Sequence, residues 1–107
     1  MSETSVAVVE NWQKSAHFAE RQGQRGVRDA AAKLAVARGR CFYEHGERVY
    51  FLGRDAIRKQ FKNAPGRVAE EWIRRADGLV VVVGSDGRLI TTYRNPRFLR
   101  TLKKRSG

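Results

Sequence analysis

"LVVVVGSDGRLITTYR", running from Leu79 to Arg94, decides how this chain is read. Two β-rich runs flank a turn with Asp86–Gly87 at its tip, which is the composition of a tight antiparallel hairpin. Val80–Val83 has no polar side in its alternation, so that strand is predicted to be covered on both faces. The run after the turn is different. Thr91 and Tyr93 fall on one face, and Ile90, Thr92 and Arg94 on the other, because side chains alternate along a strand. With Ile90 toward a core, Thr91 and Tyr93 stand on the more open side. A hydroxyl and a phenol two residues apart suit hydrogen bonding to phosphate or sugar, and the phenol ring offers a base a stacking face. The plainer account of the pair is strand propensity and cross-strand packing.

Upstream, "CFYEHGERVYFLG" holds two aromatic-rich runs around Glu44–Glu47, a second hairpin signal. Between the hairpins, "RDAIRKQF" predicts a short helix capped by Asp55, with Ile57 and Phe61 one turn apart. Pro65–Gly66 ends it, and "RVAEEWIRRA" predicts a further helix burying Val68, Trp72 and Ala76. At the start of the chain, Asn11 is placed to cap a helix through "NWQKSAHFAERQ", with Trp12, Ala16 and Ala19 inward. Gly23 and Gly26 are expected to break it. "VRDAAAKLAVAR" follows with Val27, Ala31 and Leu34 inward, and Gly39 sits where a C-terminal cap belongs. The order α-α-β-β-α-α-β-β predicts an α+β fold: an antiparallel sheet of about four strands with N-terminal helices and an inserted helix pair. Residues 1–10 are expected to be a loose N-terminus, 11–98 a single domain, and 99–107 a basic tail, with Phe98, Leu99 and Leu102 able to dock part of it.

A chain of 107 residues is most simply one domain. Its 22 Lys+Arg against 11 Asp+Glu give a formal net charge of +11. The excess peaks at the C-terminus, where Arg94, Arg97, Arg100, Lys103, Lys104 and Arg105 follow one another with no acid between them. A field of that sign recruits polyanions. Nucleic acid is the first candidate partner and an acidic protein the second. A membrane surface ranks last, because no stretch joins strong amphipathicity to apolar length. The single cysteine, Cys41, excludes an internal disulfide and a cysteine-based metal cluster. Two histidines far apart add no metal set, and "GSDGR" reads as a turn rather than a phosphate-cradling loop, so no metal and no cofactor is expected. The first ten residues lack the basic start of a signal peptide, and the reading is a cytoplasmic protein.

One further stretch carries chemistry. In "HFAERQGQR", His17 and Arg21 are four apart and share a helix face, with Arg25 near the helix end. An imidazole beside guanidinium groups is the equipment for cutting RNA without metal: a proton acceptor for the 2′-hydroxyl, a donor to the leaving oxygen, and cations for the phosphorane charge. The alternative is a solvated helix face on a basic protein. His45, in the turn of the first hairpin, reads as simply polar.

"SAHFAERQGQRGV", "YFLGRDAI" and "DGLVVVVGSDGRLITTYRNPRF", in that order, resemble a family of small uncharacterised bacterial and phage-borne proteins. That family is similar to the RelE/ParE and barnase–EndoU–colicin superfamily of metal-independent ribonuclease toxins. The resemblance covers Ser15 to Lys104. It implies helices preceding an antiparallel sheet, with RNA lying against the sheet. It also implicates His17, Arg21, Arg25, Thr91 and Tyr93 as catalytic residues, with Arg94 and Asn95 beside them. Gln22 and Gly23, in place of an apolar continuation, predict an early stop to the first helix. The resulting expectation is a ribonuclease-like, toxin-related domain acting on RNA. In it His17 is the acid or base, Arg21 and Arg25 hold phosphate, Thr91 and Tyr93 orient the scissile group, and the basic tail adds affinity. The resemblance makes RNA the first partner and an acidic antitoxin-like protein the other candidate. The alternative is a non-catalytic module that binds nucleic acid or an acidic protein, an inhibitor carried by a phage or plasmid being one form of it.

Overall fold

The protein's structure, a computed structural model, describes residues 12–97. The order is α1 (Ala16–Arg25), α2 (Asp29–Arg38), β1 (Arg40–Glu44), β2 (Glu47–Leu52), α3 (Arg54–Gln60), α4 (Gly66–Ala76), β3 (Leu79–Val83) and β4 (Leu89–Arg94). The strands form one antiparallel sheet in the order β1-β2-β3-β4. The α3–α4 pair leaves the end of β2 and returns into β3, its immediate neighbour, so it is an insertion between adjacent strands. This is the α+β architecture that the hydrophobic periods predict. The expected termini, residues 1–10 and 99–107, and the docking residues Phe98, Leu99 and Leu102, lie outside the described residues.

Both hairpin turns follow from their residues. His45 and Gly46 take φ of 51° and 79°, the left-handed pair that a two-residue turn needs to match strand twist. In the second hairpin Gly84 N–H donates to the Arg88 carbonyl at 2.9 Å, and Asp86 Oδ1 accepts from Arg88 N–H at 3.0 Å. The strands then sort their side chains onto two faces. Tyr50, Leu52, Leu79, Val81, Val83 and Leu89 join Phe18, Val36, Ile57, Ile73 and Ala76 in the core beneath the helices. Val49, Phe51, Val80 and Val82 form a second cluster on the opposite face, bordered by Phe42, Ile90 and Tyr93. Every residue of β3 is buried, as expected for a strand covered on both sides.

β4 departs from plain alternation. Val82 stands opposite Thr91 and Val83 opposite Leu89, so Ile90 is an extra residue in a bulge. Ile90 therefore shares a face with Thr91 and Tyr93, not with Thr92 as strict alternation predicts. Thr92 is fully buried, and its hydroxyl donates to the Val80 carbonyl at 2.8 Å, which removes the cost of burying it.

The helix boundaries also differ from the sequence expectation. Helix α1 begins at Ala16, capped by Ser15, because residues 13–15 are committed elsewhere. Leu89 N–H donates to the Gln13 carbonyl and Ser15 N–H to the Leu89 carbonyl, a short parallel bridge along the free edge of β4. With Ser15 as cap, Phe18 is the buried residue, while Ala16 and Ala19 are exposed. Gly23 lies inside the helix, which stops only at Gly26, whose φ of 62° is the left-handed conformation a glycine adopts without strain. Helix α2 buries Ala32, Ala35 and Val36 over β2 and β3. Gly39 closes it because a Cβ there would meet the Ala35 and Phe51 carbonyl oxygens, the latter at 2.6 Å. Helix α3 is capped by Gly53 rather than Asp55, which sits in the first turn. Among the described residues no helix is long and apolar enough to cross a membrane.

Candidate functional site

His17 and Arg21 lie on the exposed side of α1, where Arg21 Nε approaches His17 Nε2 at 3.5 Å. Arg21 also reaches Gln24 Oε1 at 3.5 Å. The helical spacing thus brings these two together as expected. Helix α1, however, packs by Phe18 into the core beneath the helices, beside β4. Thr91 and Tyr93, paired with Val82 and Val80, project to the other face of the sheet. The two halves of the predicted site belong to different layers.

The rest of the last strand is largely structural. Arg94 donates through Nε and Nη2 to the Asp77 carbonyl at 3.1 and 3.0 Å. Asn95 Oδ1 accepts from Arg97 N–H at 3.1 Å, and its backbone N–H donates to the Gly78 carbonyl at 2.7 Å, so Asn95 holds a turn. Arg100, Lys103, Lys104 and Arg105 lie outside the described residues.

Two of the expected residues, Arg25 and Arg94, do meet, at a cleft of about 530 Å³. That size lies within the range of small-ligand sites. One bank is the α1–α2 turn, Arg25 to Arg28, with the first turn of α2. The other is the face of α4 carrying Val68, Glu71, Trp72 and Arg75. Leu79 and Arg94, paired across β3 and β4, complete it. Of the three residues of α4 expected in the core, Ala76 is buried, together with Ile73, whereas Val68 and Trp72 are left half-buried against the cleft. Phe61 stacks on Trp72 with ring centroids 5.2 Å apart and 26° between planes, which fixes the indole's orientation.

The electrostatics of the cleft are one-sided. Four arginines, Arg25, Arg28, Arg75 and Arg94, line it, with one acidic residue, Glu71, among its lining residues. Glu71 is engaged by Arg75 at 3.1 Å. Among the described residues neither Arg25 nor Arg28 has an ion-pair or side-chain hydrogen-bond partner. The backbone bonds already made by Arg94 steer its guanidinium without cancelling its charge. Arg28 also precedes α2 without capping it by a side-chain bond. The neighbouring carboxylate, Asp29, is turned away: its Oδ1 accepts from Lys14 Nζ at 2.8 Å and from Gln22 Nε2 at 2.6 Å. Those bonds, Lys14's first, hold its pKa down at about 2.

Arg28, Arg75 and Trp72 were not among the site residues expected from the sequence. The available signal was the stripe Val68–Trp72–Arg75 on α4, an aromatic flanked by a cation on the same helix face, which helical periodicity assigns to a core. Among the described residues no group of three or more His, Cys, Asp or Glu side chains is placed to hold a metal ion. Comparison of the chain with protein-family models, with curated proteins and with solved structures finds no match, so the functional reading rests on this geometry.

Proposed function

We propose that this protein binds RNA, with the arginine-lined cleft as its principal phosphate site. The observation that carries the reading is the convergence of Arg25, Arg28, Arg75 and Arg94 on one cleft, two of them without an ion-pair partner among the described residues, in a chain of net charge +11. Guanidinium groups hold phosphate oxygens in bidentate geometry, and a concentrated positive field speeds encounter with a polyanion. If about four phosphates are engaged, the logarithm of affinity for a single strand falls with log salt at a slope of about −3. Fluorescence anisotropy with a labelled single-stranded oligoribonucleotide measures this. The double variant Arg25→Glu/Arg28→Glu is expected to bind at least about tenfold more weakly and to flatten the slope by about 1.4. Unchanged affinity in that variant, or affinity insensitive to salt, overturns the reading.

A second reading, metal-independent RNA cleavage, is favoured by the exposed His17–Arg21 pair at 3.5 Å. It ranks below binding because Thr91 and Tyr93 project from the other face of the sheet. Its expected signature is cleavage in excess EDTA that leaves 2′,3′-cyclic phosphate ends, with His17→Ala slowing the rate by about 10²–10⁴. Bound but intact RNA, or a His17→Ala variant as fast as the parent, eliminates it.

A further inference from the structure

We infer that the cleft is a pocket for one unpaired nucleotide, whose base lies against Trp72 and whose phosphate is held by Arg25, Arg28 and Arg94. The inference rests on the RNA-binding reading and adds to it a preference for single strands. Three features of the cleft lead there. Its interior wall is apolar, from Val27, Ala31, Val68 and Leu79, and it carries a large planar ring, which a site meant for phosphate alone does not require. Phe61 stacks on the ring and restrains it, so the indole loses little further freedom when a base stacks in the cleft. Arg25, Arg28 and Arg94 line the same cleft as that wall, so one ligand with an apolar plane and an attached anion suits both at once. A nucleotide has that construction. In a duplex the base faces are stacked and out of reach, whereas an unpaired base is free to enter an aromatic pocket.

The test uses the full chain and adenosine 5′-monophosphate as probe. The protein has two tryptophans, hence two indole N–H resonances, which Trp72→Phe assigns. Adenosine monophosphate is expected to shift the Trp72 resonance saturably and to leave that of Trp12 in place. Ribose 5-phosphate, which lacks the base, is expected to bind at least about tenfold more weakly. Trp72→Leu is expected to lose about tenfold or more in affinity for a single-stranded oligoribonucleotide while keeping its affinity for duplex RNA. Trp72→Phe, which preserves a ring against Phe61, is expected to lose less, and this separates stacking from damage to the helix. If RNA binds but the Trp72 resonance stays fixed and Trp72→Leu binds single strands like the parent, the pocket is overturned and the RNA-binding reading stands. If neither form of RNA binds at low salt while the mononucleotide still moves Trp72, the RNA-binding reading falls and the nucleotide pocket stands.

Discussion

At Asp29 one carboxylate joins the start of the chain to α2, since it accepts from both Lys14 and Gln22. Its pKa falls from the ordinary 3.8 to about 2, chiefly through Lys14. A depressed carboxyl pKa favours the folded state while the group is ionised in the fold. The contribution is therefore full above about pH 4 and lost as pH falls through about 2. Asp29 is 49 % exposed, so solvent screens the pair and its worth is about 0.5–1 kcal/mol at most. Asp29→Asn is expected to lower stability by that amount at pH 7. The gap between variant and parent should close between pH 4 and pH 2 in urea titrations, and a gap independent of pH rejects the assignment. The same scale shows how a residue's type can mislead. Asn95 has the chemistry of a nucleic-acid contact, yet its side chain accepts from Arg97 N–H within its own turn. Thr92, beside the two more open residues of β4, is fully buried and bonded to Val80.

The elements meet at Ser15. Its hydroxyl accepts from Phe18 N–H at 3.0 Å as the cap of α1 and donates to the Ile90 carbonyl at 2.9 Å. Its backbone N–H pairs with Leu89. One residue thus starts a helix and ties it to the free edge of β4, which the segment Gln13–Ser15 partly covers. Ser15→Ala removes the cap and the bond to Ile90 together, and is expected to cost about 0.5–2 kcal/mol. Guanidinium or thermal unfolding measures it, and a change within about 0.3 kcal/mol would show that neither bond contributes. Helix α4 carries a different lesson. Its apolar stripe is real, but only Ile73 and Ala76 are fully engaged by the core. The neighbouring positions Val68, Trp72 and Arg75 form the wall of the cleft. A helix with two apolar surfaces, one on the sheet and one half-open, gives a sequence pattern no different from one broad buried face.

Across the whole molecule, an excess of eleven positive charges means that folding brings like charges together. Raising salt from about 0.01 M to about 0.15 M shortens the screening length from about 30 Å to about 8 Å. The melting temperature is expected to rise over that range. Calorimetry at pH 7 in a buffer without polyvalent anions checks this, and a flat or falling midpoint contradicts it. The fold class was legible without coordinates, because its determinants are local. Period-two runs around Asp86–Gly87 and His45–Gly46 specify hairpins, and helical runs ended by Gly26 and Gly39 specify the first two helices. A continuous valine strand specifies burial on both faces. The pairing of His17 with Arg21 was legible for the same reason, since it follows from a four-residue step on one helix. Periodicity says which side chains share a face, but not what lies across from it. Alternation already put Thr91 and Tyr93 on the face away from the core, but only the tertiary structure put α1 on the other face, through the packing of Phe18, and moved Ile90 beside them through the bulge. Only it gathered Arg25, Arg28, Arg75 and Arg94, drawn from a turn, a helix and a strand, around Trp72. Those neighbours are up to 69 residues apart in the chain, and what brings them together is the burial of apolar surface between layers, a non-directional force that no local pattern records.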